Sequence, residues 1–459
     1  MTTTDVVGPA VAQAREAARW WGGLGFNGRR SRLLAWKRHI AQHIGELAAL
    51  VAEETGKSQD DAALEVMLAV EHLDWAARSA GKVLGRRKVS SGMLASNHVA
   101  TLEYLPLGVV GVIGPWNYPV YTPLGSVSYA LAAGNAVVFK PSEHTPRTGQ
   151  WLADAWAQAV PGEPVLQVVL GDGTVGAALT WSGVDKIAFT GSAATARKVM
   201  ATCAETLTPL VVEGGGKDAM IVAADADLEA AAQAAAFGGF GNAGQTCAGV
   251  ERVYIERSVY QTFLDKLGSL APGPQKMTTP EQPSIVRSHV EDALARGGRA
   301  VVGGIESVQP AQVGAVVLAE VPEDSLAVTE ETFGPTLVVN PVDSVDEAIR
   351  LANASKYGLA ASIFTKDSHA GTAIARRLRT GAASINAVLG FAGVPSLPFG
   401  GVGDSGFGRI HGADGLREFS RAQSVTRQRF HAPLDLMRLD RDPKAMARAL
   451  KLFRFRHGR

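Results

Sequence analysis

The sequence predicts an α/β protein built from two successive units of parallel sheet with covering helices. Three observations carry this expectation. Short runs rich in Val, Ile and Phe recur along the chain with helical stretches between them, the pattern of βαβ units. The alternation restarts after Glu213, so a second sheet follows the first. The opening 80 residues show only the three- and four-residue spacing of amphipathic helices.

Each element follows from its residues. Leu33, Leu34, Ile40, Ile44, Leu47, Leu50 and Val51 recur at helical spacing, and the Ala-rich stretch from Ala62 to Ala80 repeats it, predicting helices that flank a sheet. From Val89 to Leu105 charged and apolar residues alternate between Ser, Gly and Asn breaks, as paired strands do. Val109–Ile113, Ala136–Phe139, Leu166–Leu170, Lys186–Phe189 and Pro209–Val212 are the strands expected in the first sheet. Ala219–Val222, Arg252–Ile255, Val316–Leu318, Thr336–Val339, Ala361–Phe364 and Ala383–Asn386 are those of the second, with an active site expected between the two. The Pro- and Gly-rich segment Gly268–Pro283 reads as a surface connection that leaves such a site undisturbed. Beyond Val425 the chain carries ten Lys and Arg against three Asp, with Met446, Ala449, Leu450, Phe453 and Phe455 interleaved. That pattern fits an amphipathic basic helix, packed on a neighbouring domain or subunit or lying on an anionic membrane.

A chain of 459 residues, 46% hydrophobic and 19% charged, can bury large cores and has the length of about three ordinary domains. Its net charge of +1 supplies no global field for nucleic acid. No early basic stretch with an apolar core resembles a signal peptide, and no uninterrupted run of about 18 apolar residues could span a bilayer. Two cysteines cannot make a disulfide framework, and a thiol used as a nucleophile must stay reduced, so a cytoplasmic setting is expected. His39 and His43 share helical i,i+4 spacing without an acidic partner in a local motif, so no metal site is expected.

Cys247 closes the segment Asn242-Ala243-Gly244-Gln245-Thr246-Cys247, thirty-four residues after the lone carboxylate of Glu213-Gly214-Gly215-Gly216-Lys217. Small residues crowd both segments, so backbone can approach a reacting atom with no Cβ in the way. The pair suggests a thiolate nucleophile with a carboxylate base, against the ordinary alternative of a small buried hydrophobe. A literal Gly-x-Gly-x-x-Gly at Gly171–Gly176 invites a dinucleotide, which requires an acidic residue about 20 positions on. After Asp185 the next carboxylate is Glu205, so the triplet reads as a turn. Phe189-Thr190-Gly191-Ser192, at a strand end with a helical stretch behind it, is the better anion site, because free N–H groups at a helix start attract negative charge.

Other segments complete an ordered set: Gly114-Pro115-Trp116-Asn117-Tyr118-Pro119, Lys140-Pro141-Ser142-Glu143, Glu331-Thr332-Phe333-Gly334-Pro335 and Pro398-Phe399-Gly400-Gly401. With the segments around Ser192, Glu213 and Cys247 they make the chain resemble the aldehyde dehydrogenase superfamily from roughly Arg15 to Val425. The resemblance implies a Rossmann-like NAD-binding domain from residues 1–87 and 107–213, a second α/β catalytic domain at 214–420, and a small β-hairpin oligomerisation element from 88–106 and 421–430. A basic tail occupies 431–459. In the family the hairpin and the strand near Gln423 to Arg427 meet across subunits, which implies a homodimer or homotetramer.

By the same resemblance Cys247 adds to the carbonyl of a small-molecule aldehyde, and the Asn117 amide and the Cys247 N–H receive the thiohemiacetal oxygen. A hydride then leaves for a nicotinamide, and Glu213 activates the water that hydrolyses the thioester. Most relatives carry Leu where this chain has Gly214, which implies a looser backbone beside the base. Cofactor contacts are implied for Trp116, Lys140, Ser142, Glu143, Gly191, Ser192, Glu331 and Phe333. Glu143 accepts from the ribose hydroxyls and repels a 2′-phosphate, which favours NAD, with NADP accommodated in part through Lys140. Tyr118, Thr122, Gly125, Gly241, Thr246 and Phe399 match the substrate tunnel. Several are small and none is arginine, so a medium-to-long aliphatic or aromatic aldehyde is expected. Parts of Glu213–Asp218 and Val250–Tyr254 look like succinate-semialdehyde-type relatives, which stand as the alternative. A CoA-acylating relative would not need Glu213, and a non-enzymatic structural relative should have lost Cys247, Glu213 or Asn117.

Overall fold

The computed structural model of the protein describes residues 6–162, 164–431 and 438–458. Val109–Ile113 and Ala136–Lys140 are buried at every position. A strand covered on both faces needs an unbroken apolar run rather than alternation, which is how parallel sheets read in sequence. Both strands belong to a six-stranded sheet in the order Gly406–Phe407, Leu210–Glu213, Lys186–Thr190, Val109–Ile113, Ala136–Lys140, Leu166–Val168. A seven-stranded sheet runs Arg299–Val302, Val316–Ala319, Thr336–Val342, Val250–Glu256, Asp218–Val222, Ala360–Phe364, Ala382–Ile385. Every run named from the sequence forms a strand in the expected sheet. Two strands carry no such signal: Arg299–Val302, an antiparallel edge broken by a bulge, and Gly406–Phe407, which pairs antiparallel with Val212 and Glu213. The chain passes from one sheet to the other between Glu213 and Asp218, so the glycine run Gly214–Gly216 lies at the crossing.

The opening stretch folds into helices Val7–Gly23, Gly25–Gln42, Ile44–Thr55 and Gln59–Leu84. Gly56, at φ +82°, ends the third in the left-handed conformation that a Cβ disfavours. Ser58 begins the fourth by accepting the Asp61 N–H at 3.0 Å. The first two helices anchor through tryptophan: Trp21 and Trp36 meet Trp156 edge-on at 5.6 and 5.2 Å, and Trp21 Nε1 donates to Leu131 O at 2.8 Å.

Both sheets and their helices fall in one compact unit, Met1–Val83 with Pro106–Arg421. The second unit, Leu84–Leu105 with Ala422–Arg459, contains the helix Pro443–His457 and most of a three-stranded sheet ordered Arg87–Val89, His98–Pro106, Ser420–Gln428. This corrects the expectation that the hairpin and the strand near Gln423 to Arg427 meet across subunits. They pair within one chain, where the Thr101 hydroxyl also donates to Val425 O at 3.4 Å, because an open edge is satisfied first by a strand that needs no partner. The sheet's remaining edges are Arg87–Val89 and Ser420–Gln428. Residues 432–437 and Arg459 of the basic tail lie outside the described residues. Among the described residues no helix is long and apolar enough to cross a membrane, and no group of three or more His, Cys, Asp or Glu could hold a metal ion.

Candidate active site

The backbone leading to Cys247 bends against its own preference. After the helix Leu228–Phe240, Asn242, Ala243 and Gly244 take φ values of 53°, 54° and 70°. The left-handed conformation costs about 1–2 kcal/mol at each residue that has a Cβ, so the surroundings must hold it. Asn242 Nδ2 donates to Asn117 O at 3.1 Å and Gln245 O at 3.2 Å, and Gln245 Nε2 returns to Asn242 O at 3.0 Å. A Cβ on Gly244 would lie 2.0 Å from Gly334 O, so only glycine fits. The rest of the grip comes from further along the chain. Gln275 accepts the Ala243 N–H at 3.2 Å and donates to Phe240 O at 3.0 Å, while the Thr278 N–H donates to Gln245 Oε1 at 3.0 Å. The segment Gly268–Pro283 is therefore not the bystander expected of it: it braces the nucleophile loop. Its Pro and Gly content marks a turn but is silent about where two polar groups beyond the turn reach.

Glu213 ends its strand between Lys186–Thr190 and Gly406–Phe407. Cys247 Sγ donates to Glu213 Oε1 at 3.3 Å, and the Thr190 hydroxyl reaches the other oxygen at 3.4 Å. Burial pushes the Glu213 carboxyl up to about 7, against the bonds from Cys247 and Thr190 that lower it. Burial also holds the Cys247 thiol well above its ordinary range, and the Glu213 charge adds to this. The pair thus sets a protonated thiol against a base that titrates near neutral pH, and proton transfer within it would free a thiolate. The looseness expected at Gly214 is absent. Its N–H donates to Ser405 O at 2.9 Å, and a Cβ would lie 2.6 Å from Asp404 O, so glycine here permits close packing.

Asn117 Nδ2 donates to Gln245 O at 2.9 Å, which fixes the amide's rotation. Its second N–H and the backbone N–H of Cys247 have no acceptor among the described residues. Behind the loop sits a pair that sequence reasoning missed. Lys57 Nζ donates to Asn117 O and to Glu65 Oε2, both at 2.7 Å, with both side chains fully buried, and lies 4.2 Å from the Tyr118 ring centroid. Glu65 also accepts the Val120 and Tyr121 N–H groups at 2.7 and 3.1 Å. In sequence both look like solvated surface charges, and only the fold carries them inward.

A cavity of about 320 Å³ opens onto Cys247 and Glu213, lined also by Tyr118, Thr122, Gly241, Thr246 and Phe399. Gly125, expected among them, lies elsewhere: a Cβ there would come 2.5 Å from His411 Nε2, so the small residue makes room for a buried histidine rather than for substrate. Leu64, Leu68, Tyr121, Phe237, Ile410 and the loop Val388–Gly393 also form the wall, none of them read from the sequence. His72 Nε2 and the Tyr121 hydroxyl anchor that loop at Ala392 O, at 2.9 and 3.2 Å. The lining holds no Lys or Arg, and its charged members, Asp61, Glu65 and Glu213, are all acidic.

The expected cofactor residues fall in three places. Trp116 and Phe333 meet edge to face at 5.5 Å, and Glu251 sets the second ring by accepting the Thr332 and Phe333 N–H groups at 2.8 and 2.9 Å. Glu331 accepts the Gly216 N–H at 2.9 Å, and a Cβ on Gly215 would lie 2.1 Å from its oxygens. Burial first, then the Glu251 charge, pushes the Glu331 carboxyl up to about 8. In the second cluster Lys140 pairs with Glu143 at 3.2 Å and the Ser142 hydroxyl reaches the same carboxylate oxygen at 3.4 Å. Ser192 caps the helix Ala193–Thr206, accepting the Thr195 N–H at 3.3 Å, and the Gly191 N–H donates to Glu213 O at 3.1 Å. The Gly171–Gly176 triplet starts a different helix, whose cap is already a carboxylate: Asp172 accepts the Thr174 N–H at 2.9 Å. A dinucleotide fits this donor set. Glu331 is an enclosed carboxylate with one backbone donor, short of the bonds that ribose hydroxyls supply, and the helix start at Ser192 suits a pyrophosphate.

The profile of the aldehyde dehydrogenase family matches residues 1–425. The chain belongs to that family. It is 39% identical over 438 residues to 4,4'-diapolycopene aldehyde oxidase of Methylomonas sp, spanning 92% of this chain and 82% of the relative. A Mycolicibacterium smegmatis protein named "putative succinate-semialdehyde dehydrogenase", NADP(+)-linked by that name, is 34% identical over 442 residues, 93% of this chain and 85% of its own. Among solved structures, the NAD-dependent aldehyde dehydrogenase of Sinorhizobium meliloti superposes with a TM-score of 0.89 at 31% identity, covering 95% of this chain and 89% of that one. This aldehyde dehydrogenase oxidises aldehydes with a nicotinamide cofactor, NAD or NADP. The helix Pro443–His457 lies beyond the residues that match the family.

Proposed function

We propose that this aldehyde dehydrogenase converts an apolar, medium-to-long aldehyde to its carboxylic acid, with NAD preferred. The observation that carries the substrate reading is the cavity: its lining is largely apolar and holds no cation, and of its acidic members Glu65 is already paired with Lys57. A distal carboxylate, as on a semialdehyde, would lose its hydration there and gain no counter-ion. The diapolycopene aldehyde in the Methylomonas relative's name agrees in kind.

In the proposed chemistry the Cys247 proton passes to Glu213 and the sulfur adds to the carbonyl carbon. The Asn117 amide and the Cys247 N–H receive the oxyanion, each worth about 3 kcal/mol in such a role. A nicotinamide dinucleotide held by Glu331, Phe333 and the helix start at Ser192 would supply the hydride acceptor for the tetrahedral carbon. Collapse leaves a thioester on Cys247, and Glu213, having passed its proton to solvent, takes one from the water that attacks the thioester. The acid departs and the thiol is restored. Glu143 supports the NAD preference, because Lys140 is already paired to it and a 2′-phosphate would face its charge.

NADH formation with NAD, and NADPH formation with NADP, from hexanal, decanal, benzaldehyde and succinate semialdehyde tests all of this. Decanal is expected to exceed succinate semialdehyde in kcat/KM by at least about tenfold, since each buried CH₂ contributes about 0.8 kcal/mol. Preference for the semialdehyde, or for NADP, would overturn the respective part. We also infer a homodimer or homotetramer, built on the open edges of the three-stranded sheet, and a reducing, cytoplasmic setting that keeps Cys247 a thiol.

A further inference from the structure

The charge of this chain is divided unevenly. The smaller unit, Leu84–Leu105 with Ala422–Arg459, carries thirteen Lys and Arg against four Asp and Glu, a net charge of +9. The whole chain is +1, so the remaining residues sum to −8. Five of the cations, Lys444, Arg448, Lys451, Arg454 and Arg456, lie on the helix Pro443–His457, which has no acidic residue and no buried one. Ala449 and Leu450 lie three and four residues after Met446, and Phe453 four and three after them, so the four make an apolar stripe, with Leu450 and Phe453 exposed at 49% and 43%. Leu452 and Phe455 fall outside the stripe. Lys444, Arg448 and Lys451 occupy the opposite face, and Arg454 and Arg456 flank the stripe on either side.

We propose that this helix binds the surface of an anionic lipid bilayer, lying in the interface with Met446, Leu450 and Phe453 among the acyl chains and the cations on the headgroup phosphates. Two features select this occupant. A nucleic acid would satisfy the cations but leave the apolar stripe in water. A second copy of the helix would cover the stripe but set like charges against like. An anionic bilayer satisfies both faces at once, through buried apolar area and attraction to the lipid charge. The proposal is independent of the substrate argued above, because the test reads binding whichever aldehyde is oxidised.

Co-sedimentation of the full chain with vesicles tests it, comparing phosphatidylcholine alone with phosphatidylcholine containing one third phosphatidylglycerol. Binding is expected to the anionic vesicles only, and to be released in about 0.5 M salt, where charges are screened within a few ångströms. The triple substitution Lys444→Gln, Arg448→Gln, Lys451→Gln, and separately Leu450→Ser with Phe453→Ser, are each expected to lower partitioning at least about tenfold. Both should leave NADH production from a water-soluble aldehyde and the mass in solution unchanged. A full chain that stays in the supernatant, or binding indifferent to both sets of substitutions, would overturn the proposal. So would a fall in solution mass in either variant, which would assign the helix to an interface between copies.

Discussion

At Glu213 the demands of chemistry and of stability oppose each other. A base that takes a proton near neutral pH must be shifted up toward it, and here burial does the shifting, to about 7. The folded protein then binds more protons than the unfolded chain between pH 4.5 and 7, so stability falls as pH rises through that window. Below it the carboxyl is protonated in both states and costs nothing. Above it the ionised group costs on the order of 3 kcal/mol, because each tenfold change in proton affinity is worth about 1.4 kcal/mol. Glu213→Gln is therefore expected to raise the urea midpoint at pH 8 and leave it unchanged at pH 4, while stalling turnover. Mass spectrometry after mixing with aldehyde and NAD should find the acyl group on Cys247, formed more slowly because the glutamine cannot take the thiol proton, but held once formed because no base activates water. An unchanged midpoint at pH 8 would argue against the buried-charge account, and normal turnover with no adduct would remove the base role. Cys247→Ala should abolish NADH formation yet bind NAD as the parent does by calorimetry, and substantial residual oxidation would exclude it as the nucleophile.

At the scale of elements, the loop that presents Cys247 depends on a segment some thirty residues later. Gln275→Ala removes the acceptor for the Ala243 N–H and the donor to Phe240 O, each loss costing about 1–3 kcal/mol where it leaves a polar group buried. Released from that grip, the left-handed turn should relax. We expect kcat to fall about tenfold to a hundredfold with NAD affinity unchanged, and an unchanged kcat would show that the turn holds itself. Gly214→Leu should destabilise the strand pair Glu213 and Gly406, because Asp404 O would lie 2.6 Å from the added Cβ. A variant as stable as the parent would show that this carbonyl can move. These positions also mark where the sequence stops being legible. Fully buried strands such as Val109–Ile113 declare themselves, because two-sided burial leaves no place for an unpartnered polar side chain. Cys247, Glu213 and Asn117 are singled out by their segments, and the fold brings those segments together. Gln275, Lys57 and Glu65 are not singled out, since a polar side chain becomes part of a site only through a long-range contact. Gly125 misleads for the same reason: a glycine announces close approach without saying whether the visitor is a substrate or His411.

For the whole molecule, the two open strand edges of the smaller unit are the places where copies of the chain can meet. Light scattering at micromolar concentration is expected to return about twice or four times 48.1 kDa, and a fully active monomer would exclude the assembly.

The pairing of Gly406–Phe407 with Val212 and Glu213 reaches further. The strand that carries the base is flanked on one side by residues made early and on the other by residues made almost two hundred positions later. During synthesis both reactive side chains therefore exist on the chain well before the sheet that orients one of them can close, and closure of so distant a pair is slow. A ribosome stalled before residue 406 would release a chain that owns the thiol and the carboxylate but lacks the frame that aligns them. Alignment of the base by this strand pair is in this way deferred until residues 406 and 407 have been made.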